Sequence, residues 1–205
     1  MTDMPWSVDT DEPKDAALWT AALLAVGRAL YLANTFEAKC KAAFRVRLIL
    51  DAIASHGDQW AEPAAAAADA DATLARAITT FNRGDGEQLL RVLHRARDAR
   101  NYIAHEGGNF NGLFFTSEDH LLDKLLRLRA EVHCLALGDD LVSQLIHEIH
   151  RKTDSGRGLD PGQRRTMPDY AGTVDRWVFG DADLLERLHE RQERHWWAGT
   201  EPCTD

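Results

Sequence analysis

The stretch KDAALWTAALLAVGRALYLA, residues 14–33, decides the fold class. It is dense in strong helix formers and contains no proline, which predicts a helix buried on much of its circumference. The segment that follows, NTFEAKCKAAFRVRLILDAIASHG, starts at Asn34, a residue suited to an N-cap, and reads as a second, amphipathic helix that stops near Gly57. Past DQWAEP, the alanine-rich run from Ala64 to Phe81 begins just after a proline and predicts a third helix. NRGDGE then breaks the chain.

Farther out the same period returns. Leu89, Leu90, Val92, Leu93, Ala96, Ala99, Tyr102 and Ile103 recur at helical spacing from Glu87 to about Ala104, where GGNFNG ends the helix. Two further helical patterns, about Ser117–Leu137 and Asp139–Lys152, are separated by Gly138. The expected architecture is all-α: an antiparallel bundle of four to six helices over residues 14–152, behind an acidic tail at 1–13. Residues 153–205 form a C-terminal extension in this reading. Over 153–173 glycine, proline and charge replace periodicity and predict a loop. VDRWVF then reads as a short strand or a helical turn, and DADLLERLHERQERHWW as a terminal helix over about 181–197, opened by Asp181 or Asp183.

With 205 residues, 44% hydrophobic and 28% charged, the chain has the size of one medium domain and the composition of a soluble globular protein. No stretch approaches the roughly 18 to 20 uninterrupted apolar residues of a spanning helix. The first fifteen residues carry five acids against one lysine, unlike a secretory signal. Three widely spaced cysteines, Cys40, Cys134 and Cys203, suit a reducing compartment rather than a disulfide framework. A cytoplasmic protein without membrane association is expected. The net charge of −9 argues against coating nucleic acid by bulk electrostatics. Yet Arg91–His105 holds four arginines against one acid, a local balance of +3 that suits a phosphate.

Inside that basic run lies RDARNYIAHEGG, residues 97–108. On a helical wheel with Arg100 at zero, Arg97 falls at about 60°, Asn101 at about 100° and His105 at about 140°, while Leu89, Val92, Ala96, Ala99 and Ile103 share another arc. An arginine, an amide and an imidazole are thereby presented side by side at a helix end, next to a glycine-rich loop. Those groups suffice to cleave RNA with neither metal nor cofactor. The guanidinium clamps the phosphate and neutralises charge that develops in the transition state, and an imidazole, which titrates near neutrality, moves the proton of the 2′-hydroxyl or the leaving oxygen. Asn101 orients either group. Because the attacking oxygen belongs to the substrate, the products are a 2′,3′-cyclic phosphate and a 5′-hydroxyl. In-line transfer wants a base on one side of phosphorus and an acid on the other, and one motif supplies one histidine. A homodimer that sets two copies of the motif face to face supplies two.

RNYIAH, residues 100–105, resembles the signature of the HEPN superfamily: arginine, a polar residue that is commonly Asn, Asp or His, a few more residues, then histidine, at the end of a helix in a helical bundle. Arg100, Asn101 and His105 match it, with four residues between Arg and His. The resemblance implies a metal-independent endoribonuclease, usually a homodimer with a composite active site, acting in toxin–antitoxin, phage-defence or related conflict systems. An antitoxin or defence-system partner protein is implied with it. Asn34 and Glu37, in LANTFEAK, are similar to polar positions that flank this site in some relatives, and Glu37 is a candidate for binding substrate on that ground. One branch of these toxins carries a tyrosine two residues after the histidine, where a partner nucleotidyltransferase modifies it. Here that position is Gly107, and residues 153–205 also lie outside the resemblance.

Other residues admit two readings. Arg97 is a candidate for binding substrate and equally an ordinary solvated helix residue. Tyr102, Phe110, Phe114 and Phe115 have the chemistry to stack unpaired bases, or to anchor core and loop. HEIH, residues 147–150, spaces two histidines about one turn apart but offers no third ligand, so no metal site is expected. Cys40 and Cys134 read as small buried residues. Trp196 and Trp197 suit either a core cap or a partner-docking tail. For the whole chain, the alternatives to an RNase are a non-catalytic helical module that binds RNA or a protein through the same surface, and a dimeric scaffold.

Overall fold

A computed structural model of the chain describes residues 15–70, 73–80, 87–107, 118–153, 170–180 and 182–195. Every element among them is helical: α1 (Ala16–His56), α2 (Ala61–Ala70), α3 (Leu74–Thr80), α4 (Glu87–Tyr102), α5 (Glu118–Thr153), α6 (Tyr170–Phe179) and α7 (Ala182–His195). A 3-10 turn at Asp58–Trp60 follows α1 and a π-turn at Ile103–Gly107 extends α4. The all-α expectation holds: among the described residues five α-helices, α1–α5, make up the bundle region, within the expected four to six, and the C-terminal extension holds two, α6 and α7, where one was expected.

Helix α1 runs unbroken through the boundary expected at Asn34. Asp15 caps its start, the carboxylate accepting from Leu18 N at 2.9 Å. Gly57 ends it at a φ of 90°, left-handed backbone that favours glycine. Asn34 caps nothing. Its helix penalty is only about 0.5–0.7 kcal/mol, and Ala33 and Phe36 beside it are fully buried, so packing carries the helix through. The buried residues of α1, from Leu18 through Ala22, Ala25, Ala29, Ala33, Phe36 and Cys40 to Ala43 and Phe44, form one stripe at three- and four-residue spacing. Its alanines allow close helix packing. Leu23, Leu24, Leu30 and Tyr31 of the same helix are exposed. By length and composition alone α1 meets the description of a membrane-crossing helix, as core helices of soluble proteins also do.

Helix α5 likewise runs straight through Gly138, which is not a break. A Cβ there would stand 2.2 Å from Ala96 Cβ of α4 and 3.3 Å from Phe36 Cε2 of α1. The glycine is a contact point, not punctuation: it lets α5 lie against α4 and α1 one turn before Arg100.

The expected third helix divides into α2 and α3, and VDRWVF is neither strand nor single turn but the body of α6. Since α5 extends to Thr153 and α6 starts at Tyr170, the predicted loop loses both of its ends to helix. Its remainder, 154–169, lies outside the described residues, as do the tail at 1–13, Phe110, Phe114, Phe115, Trp196, Trp197 and Cys203. Helices α6 and α7 share the core of the bundle, with Val174, Val178, Phe179, Leu184 and Leu188 buried in one cluster with α1, α4 and α5.

Candidate functional site

The C-terminal end of α4 is built from the inside outward. Leu93, Ala96, Ala99 and Tyr102 are buried, which turns Arg97, Arg100 and Asn101 to the rim of the bundle. The chain then leaves α-helical geometry and enters the π-turn. A π-turn closes i→i+5 rather than i→i+4 bonds, so it rotates less per residue and carries His105 about 50° back toward the Arg100–Asn101 sector. His105 and Asn101 are exposed on that rim. Gly107, expected to be part of an open loop, is buried, and a Cβ on it would stand 3.4 Å from Leu128 Cδ1 of α5.

Arg100 is the most constrained of the three. Its Nη1 donates to Asn101 Oδ1 at 3.2 Å, and its Nη2 is paired with Glu37 Oε2, reached across from α1. Its Nε is buried without a hydrogen-bond partner. The other oxygen of Glu37 is taken by Lys41 Nζ at 2.6 Å. The Lys41 ammonium, working against the opposing effect of burial and joined by Arg100, holds the Glu37 carboxyl below its ordinary range. Glu37 therefore stands in the site as a carboxylate. An anion does not attract phosphate, so its place is that of Arg100's partner rather than of a substrate-binding group.

The remaining residues divide. Arg97 is held by its neighbour Asp98, Nη2 to Oδ1 at 2.9 Å, and Arg95 lies 3.6 Å from Glu131 of α5. The positive run is thus partly offset by carboxylates of α1 and α5 that sequence order does not place beside it. Tyr102 is buried with Arg127 of α5 over its ring at 4.3 Å, so it supports the helix end instead of offering a stacking face. Cys40 and Cys134 are buried as expected. Burial pushes the Cys40 thiol up to about 12, leaving it unionised. No group of three metal-ligating side chains occurs among the described residues.

A second polar region, which no motif announced, anchors α6 and α7. Arg129 of α5 donates from Nε at 3.0 Å and from Nη2 at 2.7 Å to the Asp175 carboxylate, and His133 Nε2 lies 3.0 Å from the same group. Arg191 of α7 embraces Asp123 with Nε at 2.7 Å and Nη2 at 2.9 Å and reaches Asp119 with Nη1 at 2.7 Å. Asp139, buried, accepts from Tyr170 and Lys39, each at 2.7 Å. Sequence reading passes over these because each joins residues dozens of positions apart.

Compared with protein-family models, with curated proteins and with solved structures, the chain matches none.

Proposed function

We propose that the protein is a metal-independent endoribonuclease of HEPN type that needs no cofactor. The observation that carries the reading is the end of α4, where a guanidinium, an amide and an imidazole share one rim while the apolar side of the same helix is sunk in the core. Arg100 binds the scissile phosphate and offsets its growing charge, Asn101 orients Arg100 through their shared hydrogen bond, and His105 transfers the proton. The substrate's 2′-hydroxyl attacks phosphorus, the bond to the 5′-oxygen breaks, and a 2′,3′-cyclic phosphate and a 5′-hydroxyl result. A homodimer supplies the second histidine across a composite cleft. The setting is cytoplasmic, without membrane association, as a toxin or phage-defence effector matched to an antitoxin or defence partner.

Purified protein incubated with single-stranded RNA in EDTA is expected to release fragments with cyclic-phosphate ends, and His105→Ala to lose at least about 100-fold in rate while unfolding at the same urea concentration. Arrest by EDTA, or equal inertness of wild type and variant, sinks the mechanism. Mixing wild-type with His105→Ala protein under subunit exchange tests the composite cleft: mixed dimers hold one histidine and are expected to be as inert as the variant, so activity falls with the square of the wild-type fraction, and a fall only in proportion to that fraction contradicts it. A non-catalytic binding module is the second reading, favoured by the occupation of Arg100 by Glu37 in the free protein. It predicts RNA or protein affinity with no turnover.

A further inference from the structure

The edge of a guanidinium that carries Nε and Nη2 can grip an oxyanion with two parallel hydrogen bonds, as Arg129 and Arg191 do here. In Arg100 this edge is half filled. Glu37 takes Nη2 with one oxygen only, because its other oxygen belongs to Lys41, and Nε is left buried and unpartnered. Exposure does not explain the gap, since the side chains of Arg100, Arg129 and Arg191 are 20%, 22% and 14% exposed and the last two have the same edge fully bonded. A buried donor without an acceptor is disfavoured unless something else fills it.

We propose that the Glu37 carboxylate is an exchangeable placeholder: it occupies part of the phosphate position on Arg100 in the free protein, and a phosphodiester displaces it, taking Nε and Nη2 together while Glu37 stays with Lys41. The proposal rests on Arg100 being the phosphate-binding group of the site. Glu37 then sets the threshold for entry. Carboxylates of other molecules and weak anions do not outcompete a carboxylate already in place, whereas a phosphodiester with two free oxygens does.

The probe is a 2′-O-methyl oligoribonucleotide, which keeps the phosphodiester but has no hydroxyl to attack, titrated by fluorescence anisotropy at fixed ionic strength. Glu37→Gln is expected to bind it about tenfold more tightly than wild type, because a like charge is removed beside the incoming anion. The gain is expected to vanish when Arg100→Ala is also present. Lys41→Met, which frees Glu37 to close on Arg100 with both oxygens, is expected to weaken binding, and to weaken it less when Glu37 is already glutamine. Equal or weaker binding by Glu37→Gln, or a gain that survives loss of Arg100, overturns the placeholder; if Glu37→Gln does not fold, Lys41→Met binding as tightly as wild type does the same. A gain through Arg100 with no variant cutting native RNA keeps the placeholder and removes the RNase. Cleavage of native RNA in EDTA by a protein whose Glu37→Gln variant binds worse does the reverse.

Discussion

Two arginines in this protein meet carboxylates across the bundle in different ways. Arg129 closes on Asp175 with Nε and Nη2, and its Nη1 reaches Gln192 of α7 at 3.3 Å, so its donors on both sides have partners. Arg100 shares one oxygen of Glu37, leans on an amide next to it in sequence, and leaves Nε empty. The first arrangement ties α5 to α6 and α7. The second keeps a charged group in position without satisfying it. A guanidinium fixed by packing yet short of acceptors is what an anion site needs before the anion arrives.

The sharpest way to break this comparison is to remove each arginine in turn. Arg100→Ala is expected to lower RNA cleavage by about 1000-fold, with a change in unfolding free energy below about 1 kcal/mol, since Glu37 keeps Lys41. Arg129→Ala is expected to do the opposite. It leaves the buried Asp175 carboxylate with only His133, and urea unfolding should show a loss of about 2–3 kcal/mol, with cleavage unchanged at temperatures where the variant is folded. Equal effects of the two changes on either property erase the distinction.

Next in size is Gly138→Ala. Its Cβ meets Ala96 and Phe36, so α5 must move away from α4 and α1, at about 1–3 kcal/mol by urea unfolding. Because that contact lies one turn before Arg100, cleavage is expected to fall along with stability. A neutral Gly138→Ala would mean that α5 does not position the site.

The smallest effect is the share of the pH dependence that comes from the anchoring region. Burial pushes the Asp175 carboxyl up, but the His133 imidazole and the Arg129 guanidinium outweigh it and hold it below its ordinary range. A carboxylate with a depressed folded-state value contributes stability that is present above its unfolded value, near about 4, and lost as pH falls through the folded value. Unfolding free energy is therefore expected to drop between about pH 4 and lower pH in wild type, and to drop less in Asp175→Asn. Parallel curves would remove Asp175 from the account.

Much of the helical content was legible because periodicity and Gly57 are local signals. The misread boundaries were local as well. Asn34 and Gly138 carry the propensities of a cap and a break, but Phe36, Ala33 and Ala96 decide what happens there, and those contacts join three helices. For the site, Arg100, Asn101 and His105 stood out as a pattern within six residues. The π-turn that brings His105 round and the empty Nε of Arg100 did not, because both depend on how α4 sits against α5 and α1. Asp175 was invisible for a related reason: VDRWVF is short, and its partners Arg129 and His133 lie in another helix, the first of them 46 positions away.

The most direct measurement is the rate of RNA cleavage in EDTA by Arg100→Lys, compared with wild type at matched folded fraction. Lysine keeps the charge beside Glu37 but lacks the Nε–Nη2 edge. A loss of about 100-fold or more is expected, with the unfolding midpoint unchanged. Wild-type activity in Arg100→Lys would show that charge alone suffices, and would contradict the half-filled fork as the working part of the site.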